Sequence, residues 1–142
     1  LVSVSAQPLG ALTAAGKAES SQRSPHHQRD SNHTFYLYQL SYTPEAVKAL
    51  VASPSDREAA ARKLIEGLGG KLHHLFFAFG KHDVVCLIEC PDDQMMAAGA
   101  MAVAASGTVS SSSTVKLMTS AEAMAAMQTA GKAIGSYKPP MG

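Results

Sequence analysis

Between Leu72 and Cys90 two strand-like apolar runs, LHHLFFAF and HDVVCLIEC, are separated only by Gly80-Lys81. So short a connection between two such runs forces the chain back on itself as an antiparallel hairpin. A glycine at the first loop position suits a type II′ turn, which needs positive φ there. Gly80 is therefore the expected structural turn residue. With Gly80-Lys81 as the loop, Phe79 pairs with His82, and the period of two sorts the side chains. Leu72, His74, Phe76, Ala78, Asp83, Val85, Leu87 and Glu89 fall on one face, and His73, Leu75, Phe77, Val84, Cys86 and Ile88 on the other. The second set is the more uniformly apolar once His73 is set aside, so it is expected to meet the helices.

The flanking segments extend this hairpin into a fold. Thr34 to Tyr42 (TFYLYQLSY) is aromatic and β-branched, with apolar groups on both faces, and reads as a first strand covered on both sides. Thr43-Pro44-Glu45 and then Ser53-Pro54-Ser55-Asp56 are two helix starts. After the second, Ala61, Leu64, Ile65 and Leu68 form one buried stripe that ends at Gly69-Gly70. Cys90-Pro91-Asp92-Asp93 stops the hairpin and opens a helix to Ser106, with acids at its positive end. Val109 to Met118 is a fourth strand despite the Ser110 to Ser113 run. Thr119-Ser120-Ala121-Glu122 is a capping box for a last helix toward Ala133. The order is βαββαβ with an added C-terminal helix. That is an α+β, ferredoxin-like antiparallel sheet with its helices on one face.

The chain has 142 residues, 46% of them hydrophobic, which suffices for one core and not for two ordinary domains. We expect an ordered domain over 33–134, a disordered or processed extension over 1–32, and a Pro- and Gly-containing tail over 135–142. Residues before His33 are rich in Ser, Gln, Gly, Ala and Pro and lack aromatic residues, too little to offset ordering entropy. A net charge of +1 gives no clustered cation field for phosphates, so no nucleic acid is expected as a partner. No apolar run reaches the length of a membrane-spanning helix, so no membrane partner is expected either. Cys86 and Cys90, four apart on a strand, would lie about 13 Å from each other. That is too far for a disulfide, so they read as core residues. A cytoplasmic location is the expectation. The alternative is export, if Leu1 to Ala6 is the end of a signal peptide.

No metal and no cofactor is expected. Met95, Met96 and Met101 read as packing residues, and His26, His27 and His33 do not match a zinc spacing. The candidates for a small-molecule site are His74 and Glu89 on the open sheet face, His82 and Asp83 beside the turn, and the hydroxyl of Tyr38. Each has a structural counterpart reading. His74 suits an interface histidine, Asp83 a turn cap, Glu89 an ion pair across a dimer, and Tyr38 a core ring. His82-Asp83, adjacent on a strand, point to opposite faces and do not form a dyad by sequence alone.

From about Thr34 to Thr119 the chain resembles the GYD domain family, small bacterial and archaeal proteins of mostly unassigned function. The resemblance is carried by Ser41-Tyr42-Thr43-Pro44-Glu45, Ser53 to Ala61 (SPSDREAAA), Leu68-Gly69-Gly70-Lys71, Phe79-Gly80-Lys81-His82-Asp83, Glu89-Cys90-Pro91-Asp92-Asp93 and Ser106-Gly107. It covers about 60% of the chain and implies a ferredoxin-like, dimeric α/β-barrel type of fold. Two departures stand out: His82 replaces the namesake tyrosine, and Ser110 to Ser113 replace a more charged segment.

An apolar second sheet face needs a cover, and a homodimer or larger homo-oligomer is the expected one. No nucleophile elbow, phosphate loop, zinc motif or dinucleotide fingerprint is present. The leading function class is thus an oligomeric module that binds a small molecule in the cleft between sheet and helices. The alternative, resting on fold analogy, is a cofactor-light oxygenase, isomerase or dehydratase acting on a small aromatic or similar substrate. Whether the chain is an enzyme stays open at this point.

Overall fold

A computed structural model describes residues 33–141. Its elements are β1 (Thr34–Tyr42), α1 (Pro44–Ala52), α2 (Arg57–Gly67), β2 (Lys71–Phe77), β3 (Val84–Cys90), α3 (Asp93–Ala105), β4 (Val109–Leu117), α4 (Ser120–Ala133) and a 3-10 turn (Ile134–Ser136). The strands form one four-stranded sheet in the order β2-β3-β1-β4, with every neighbouring pair antiparallel. Each split βαβ unit places a third strand between its own two, which is the ferredoxin-like arrangement expected from the element order. The sheet is open and not closed into a barrel.

Helix starts lie where the capping residues put them. Thr43 Oγ1 accepts from Ala46 N at 3.2 Å, Asp56 Oδ1 from Ala59 N at 3.1 Å and Asp92 Oδ1 from Met95 N at 2.9 Å. Each bond satisfies a backbone donor that the first turn leaves without a helical partner. Thr119 and Glu122 form the reciprocal capping box of α4. Gly69, at φ +78°, takes the left-handed position that closes α2. The next residue, Gly70, passes so close to β3 that a Cβ would stand 2.6 Å from the Glu89 carbonyl oxygen.

Alternation along β1 and β3 builds the core. Tyr36, Tyr38 and Leu40, together with Val84, Cys86, Ile88 and Cys90, point to one side and are buried against Ile65 of α2 and Met96 of α3. Both cysteines are free. Phe35 and Leu37 of β1, Val85 and Leu87 of β3, Phe76 of β2 and Val115 of β4 point the other way, where no element among the described residues covers them. There Phe76 is 63% and Val115 45% exposed.

The hairpin differs from its expected form in two places. Strands β2 and β3 end at Phe77 and Val84, and the chain turns through 78–83 instead of through two residues, with Ala78 N donating to Asp83 O at 2.8 Å. Gly80 is not at positive φ; the only positive-φ glycines among the described residues are Gly69 and Gly107. The expected register nevertheless holds from His74↔Leu87 to Phe77↔Val84. It shifts between Leu72 and His74, where an extra residue, His73, is accommodated. This bulge carries Leu72 into the core, where it is 1% exposed, and turns His73 toward Glu89. Both residues thereby exchange the faces that strict alternation assigns them. The expected N-terminal extension lies outside the described residues.

Candidate functional site

Alanine is a good helix former that fills little space, and α2 (REAAARKLIEG) and α3 (DQMMAAGAMAVAA) are rich in it. Where these helices cross the sheet, Ala60, Ala61 and Ala100 leave room that larger residues would occupy. The result is a cleft of about 300 Å³, floored by Tyr38, Leu40, Val84, Cys86 and Ile88 and walled by Leu64, Ile65, Met96 and Val103. At about 24 cal/mol per Å³, an enclosed dry void of that size would cost about 7 kcal/mol, comparable with the whole stability of a small domain. A natural chain does not carry so large an empty void in its core. The space is a partly open cleft of the size small ligands use.

The floor is chemically quiet. Burial pushes the Cys86 thiol up to about 11, with Glu58 adding to the shift, so it stays protonated at neutral pH. Tyr38 is 4% exposed, and its hydroxyl is buried without a hydrogen-bond partner among the described residues. Burial raises its pKa, while Ser112 on β4 works against the shift without completing a bond. The phenol is a neutral donor held under the cleft floor. Arg57, the first residue of α2, is half-buried and is the only charged residue lining the cleft among the described residues. No His, Asp or Glu among the described residues lines the cleft.

Of the residues singled out from the sequence, Tyr38 alone belongs to this cleft. His74 stands exposed on the opposite face, stacked on Phe76 at 5.7 Å. Glu89 is on that face too, with its carboxylate 3.3 Å from His73 Nε2 and 4.0 Å from His33 Nδ1. No contact joins Glu89 to His74. His82 and Asp83 lie in the connection between β2 and β3, against the end of β1. Asp83 Oδ2 accepts from Tyr42 N at 2.8 Å, and Asp83 N donates to Leu40 O at 2.8 Å. The side chain thereby completes the end of β1 beside the register shift at Ser41/Tyr42. His82 Nδ1 is 3.4 Å from Ser41 Oγ, which itself donates to the Lys81 carbonyl. The residues read as one site thus occupy three places.

Sequence reasoning passed over Arg57, His73 and His33. Arg57 follows a capping signature and reads as an ordinary first-turn charge, and nothing local shows that it meets the cleft. His73 comes to Glu89 only through the bulge. The described residues include no cluster of three or more His, Cys, Asp or Glu able to hold a metal ion. No helix among them is long and apolar enough to cross a membrane.

The family model of the GYD domain matches the chain over residues 36–127. No curated protein and no solved structure matches the chain. The matched span runs from Tyr36 in β1 to Met127 in α4, so it takes in the sheet, the cleft and the connection carrying His82 and Asp83. The chain belongs to the GYD domain family.

Proposed function

We propose that this protein is an oligomeric module that binds a small molecule in the cleft between the sheet and helices α2 and α3. The observation that carries the reading is the cleft itself: about 300 Å³ of largely apolar space, too large to be a packing defect. A binding role is favoured over an enzymatic one by the lining. Acid–base chemistry needs a group that gives or takes a proton near neutral pH, and the lining among the described residues offers the Cys86 thiol and the Tyr38 phenol, both held protonated, and no carboxylate or imidazole. Oligomerisation is supported by the apolar side chains that the second sheet face leaves uncovered.

The test is a thermal-shift screen of small apolar and amphipathic compounds against the native protein and against Ala61→Phe and Ala100→Phe, which fill the cleft. A ligand of the native state raises its melting temperature by an amount that grows with the logarithm of ligand concentration above Kd. The expected result is a concentration-dependent rise in the native protein that both variants lose while their own unliganded melting temperatures hold or increase. Compounds that stabilise the filled variants equally would place binding elsewhere and remove the cleft from the function.

A further inference from the structure

Arg57 sits where its charge is poorly compensated. Arg57 as a residue is half-buried, and the one hydrogen bond of its guanidinium among the described residues is a long one, 3.4 Å to Ser55 Oγ. The acids nearest in sequence are engaged elsewhere: Asp56 caps α2 through Ala59 N, and Glu58 pairs with Arg62 at 2.7 Å. No carboxylate among the described residues reaches Arg57 within ion-pair distance. A partly desolvated cation without an anion is unfavourable, and a guanidinium presents a fork of donors that fits a carboxylate with two parallel bonds. Beyond it the cleft is apolar, and its other polar side chains are neutral.

We infer that the ligand of this cleft is a small amphipathic monocarboxylate, its apolar body lying between α2, α3 and the sheet and its carboxylate held by Arg57. The inference rests on the reading of the cleft as a binding site and adds the class of molecule. The volume limits the body. At the roughly 30 Å³ that a water occupies in the liquid, about 300 Å³ accommodates on the order of ten non-hydrogen atoms. A medium-length alkyl or a single-ring aryl acid meets that limit. Apolar burial supplies most of the affinity, and the charge pair selects the acid over its neutral isosteres. Selection arises because a neutral amide or alcohol leaves the guanidinium without its anion.

The test compares hexanoate, octanoate and phenylpropanoate with the matching primary amides and alcohols, using calorimetry and the methyl NMR shifts of Ala61, Ala100 and Val103. The native protein should bind each acid at least tenfold more tightly than its amide. Arg57→Gln should remove that preference while leaving amide affinity within about twofold, and Arg57→Lys should restore part of it. Arg57 lies outside the buried core cluster, so its replacement leaves the core intact; Ala100→Phe is the second variant and should abolish binding of acids and amides alike. Acids and amides that bind equally well in the native protein, or an acid preference that survives Arg57→Gln, would overturn the carboxylate assignment and leave the cleft reading standing. Failure of every compound to shift the cleft methyls would overturn both.

Discussion

Two glycines show how residue-level reasoning succeeds and fails in this chain. Gly80 looks indispensable in sequence, since a two-residue turn would demand positive φ from it. It has ordinary φ, and a Cβ added there meets nothing within 4 Å. Gly70 is the glycine that packing requires, because a Cβ would drive into the Glu89 carbonyl at 2.6 Å and approach Cys90 Sγ at 3.1 Å. Gly80→Val should therefore change stability by less than about 0.5 kcal/mol, in the range of unremarkable surface substitutions. Gly70→Ala should cost about 2 kcal/mol or more, as overpacking of backbone against backbone does. Chemical denaturation of the two variants checks the contrast, and a reversed order would contradict the path of the chain through 69–84. Both glycines were visible beforehand as punctuation. Which one carries steric necessity depends on how closely β2 approaches β3, a tertiary distance that no dipeptide signal encodes.

At the scale of elements, helix starts were legible because a cap is a local event. A side-chain oxygen and a backbone N–H three residues on need nothing from the rest of the fold, and Thr43, Asp56, Asp92 and Thr119 all behave accordingly. The bulge at His73 was not legible, because it arises from fitting one strand to its neighbour and has no composition of its own. Helix α3 is also tied to the sheet by a contact far apart in sequence. Tyr36 Oη donates to Asp93, whose carboxylate lies 3.1 Å from Lys116 Nζ. Burial, reinforced by Asp93, pushes Tyr36 up to about 12. Its bond to Tyr36, followed by Lys116, lowers Asp93 below the usual carboxylate range. The phenol is held neutral in the folded state, so its stabilising effect is complete below pH about 10, the unfolded value, and fades as pH rises from there through about 12. The lowered Asp93 acts oppositely, contributing above its unfolded value and losing its effect as pH falls through the folded one. Absorbance titration of tyrosinate should show Tyr38 and Tyr36 both ionising late in the native protein, Tyr36 at about 12. Asp93→Asn should move the Tyr36 ionisation to lower pH, though burial keeps it above an exposed tyrosine.

At the scale of the whole molecule, one sheet face is left without a cover by the described residues. The pattern of residues announced an apolar second face, because β1 carries large side chains on both sides. It could not announce what covers it. Four strands about 4.8 Å apart, with about seven paired residues at about 3.3 Å each, give a planar face of roughly 450 Å². Side-chain relief enlarges this toward the lower end of specific interfaces, about 600–800 Å² per partner. Helix α4 adds unpartnered apolar surface, since none of its residues is buried and Met124 and Met127 are both more than half exposed. The expected state is a homodimer through the open sheet face, in equilibrium with monomer at low micromolar concentration. Light scattering over a dilution series should show it, and Phe76→Asp with Val115→Asp should yield monomers with unchanged circular dichroism. Dimers that persist in the double variant would place the interface elsewhere. The candidate site was less legible than the fold for a related reason. A cleft is made by what is missing between elements, and alanines on two helices reveal missing volume only after those helices are set against the sheet.

The two free cysteines give β3 a built-in clock. Cys86 lies under the cleft and Cys90 at the strand end beside the start of α3, both buried and with thiols that burial holds protonated. A thiol reagent in bulk solvent can modify either one only while the layer above it is open, so each labelling rate counts openings of its own part of the fold. Where opening and closing outrun the chemistry, that rate divided by the rate of an unprotected thiol is the equilibrium fraction open. A molecule seated in the cleft closes the path to Cys86 more than the path to Cys90. The same strand therefore reports, from two positions, whether a ligand stabilises the whole domain or only the layer that α2 and α3 form above it.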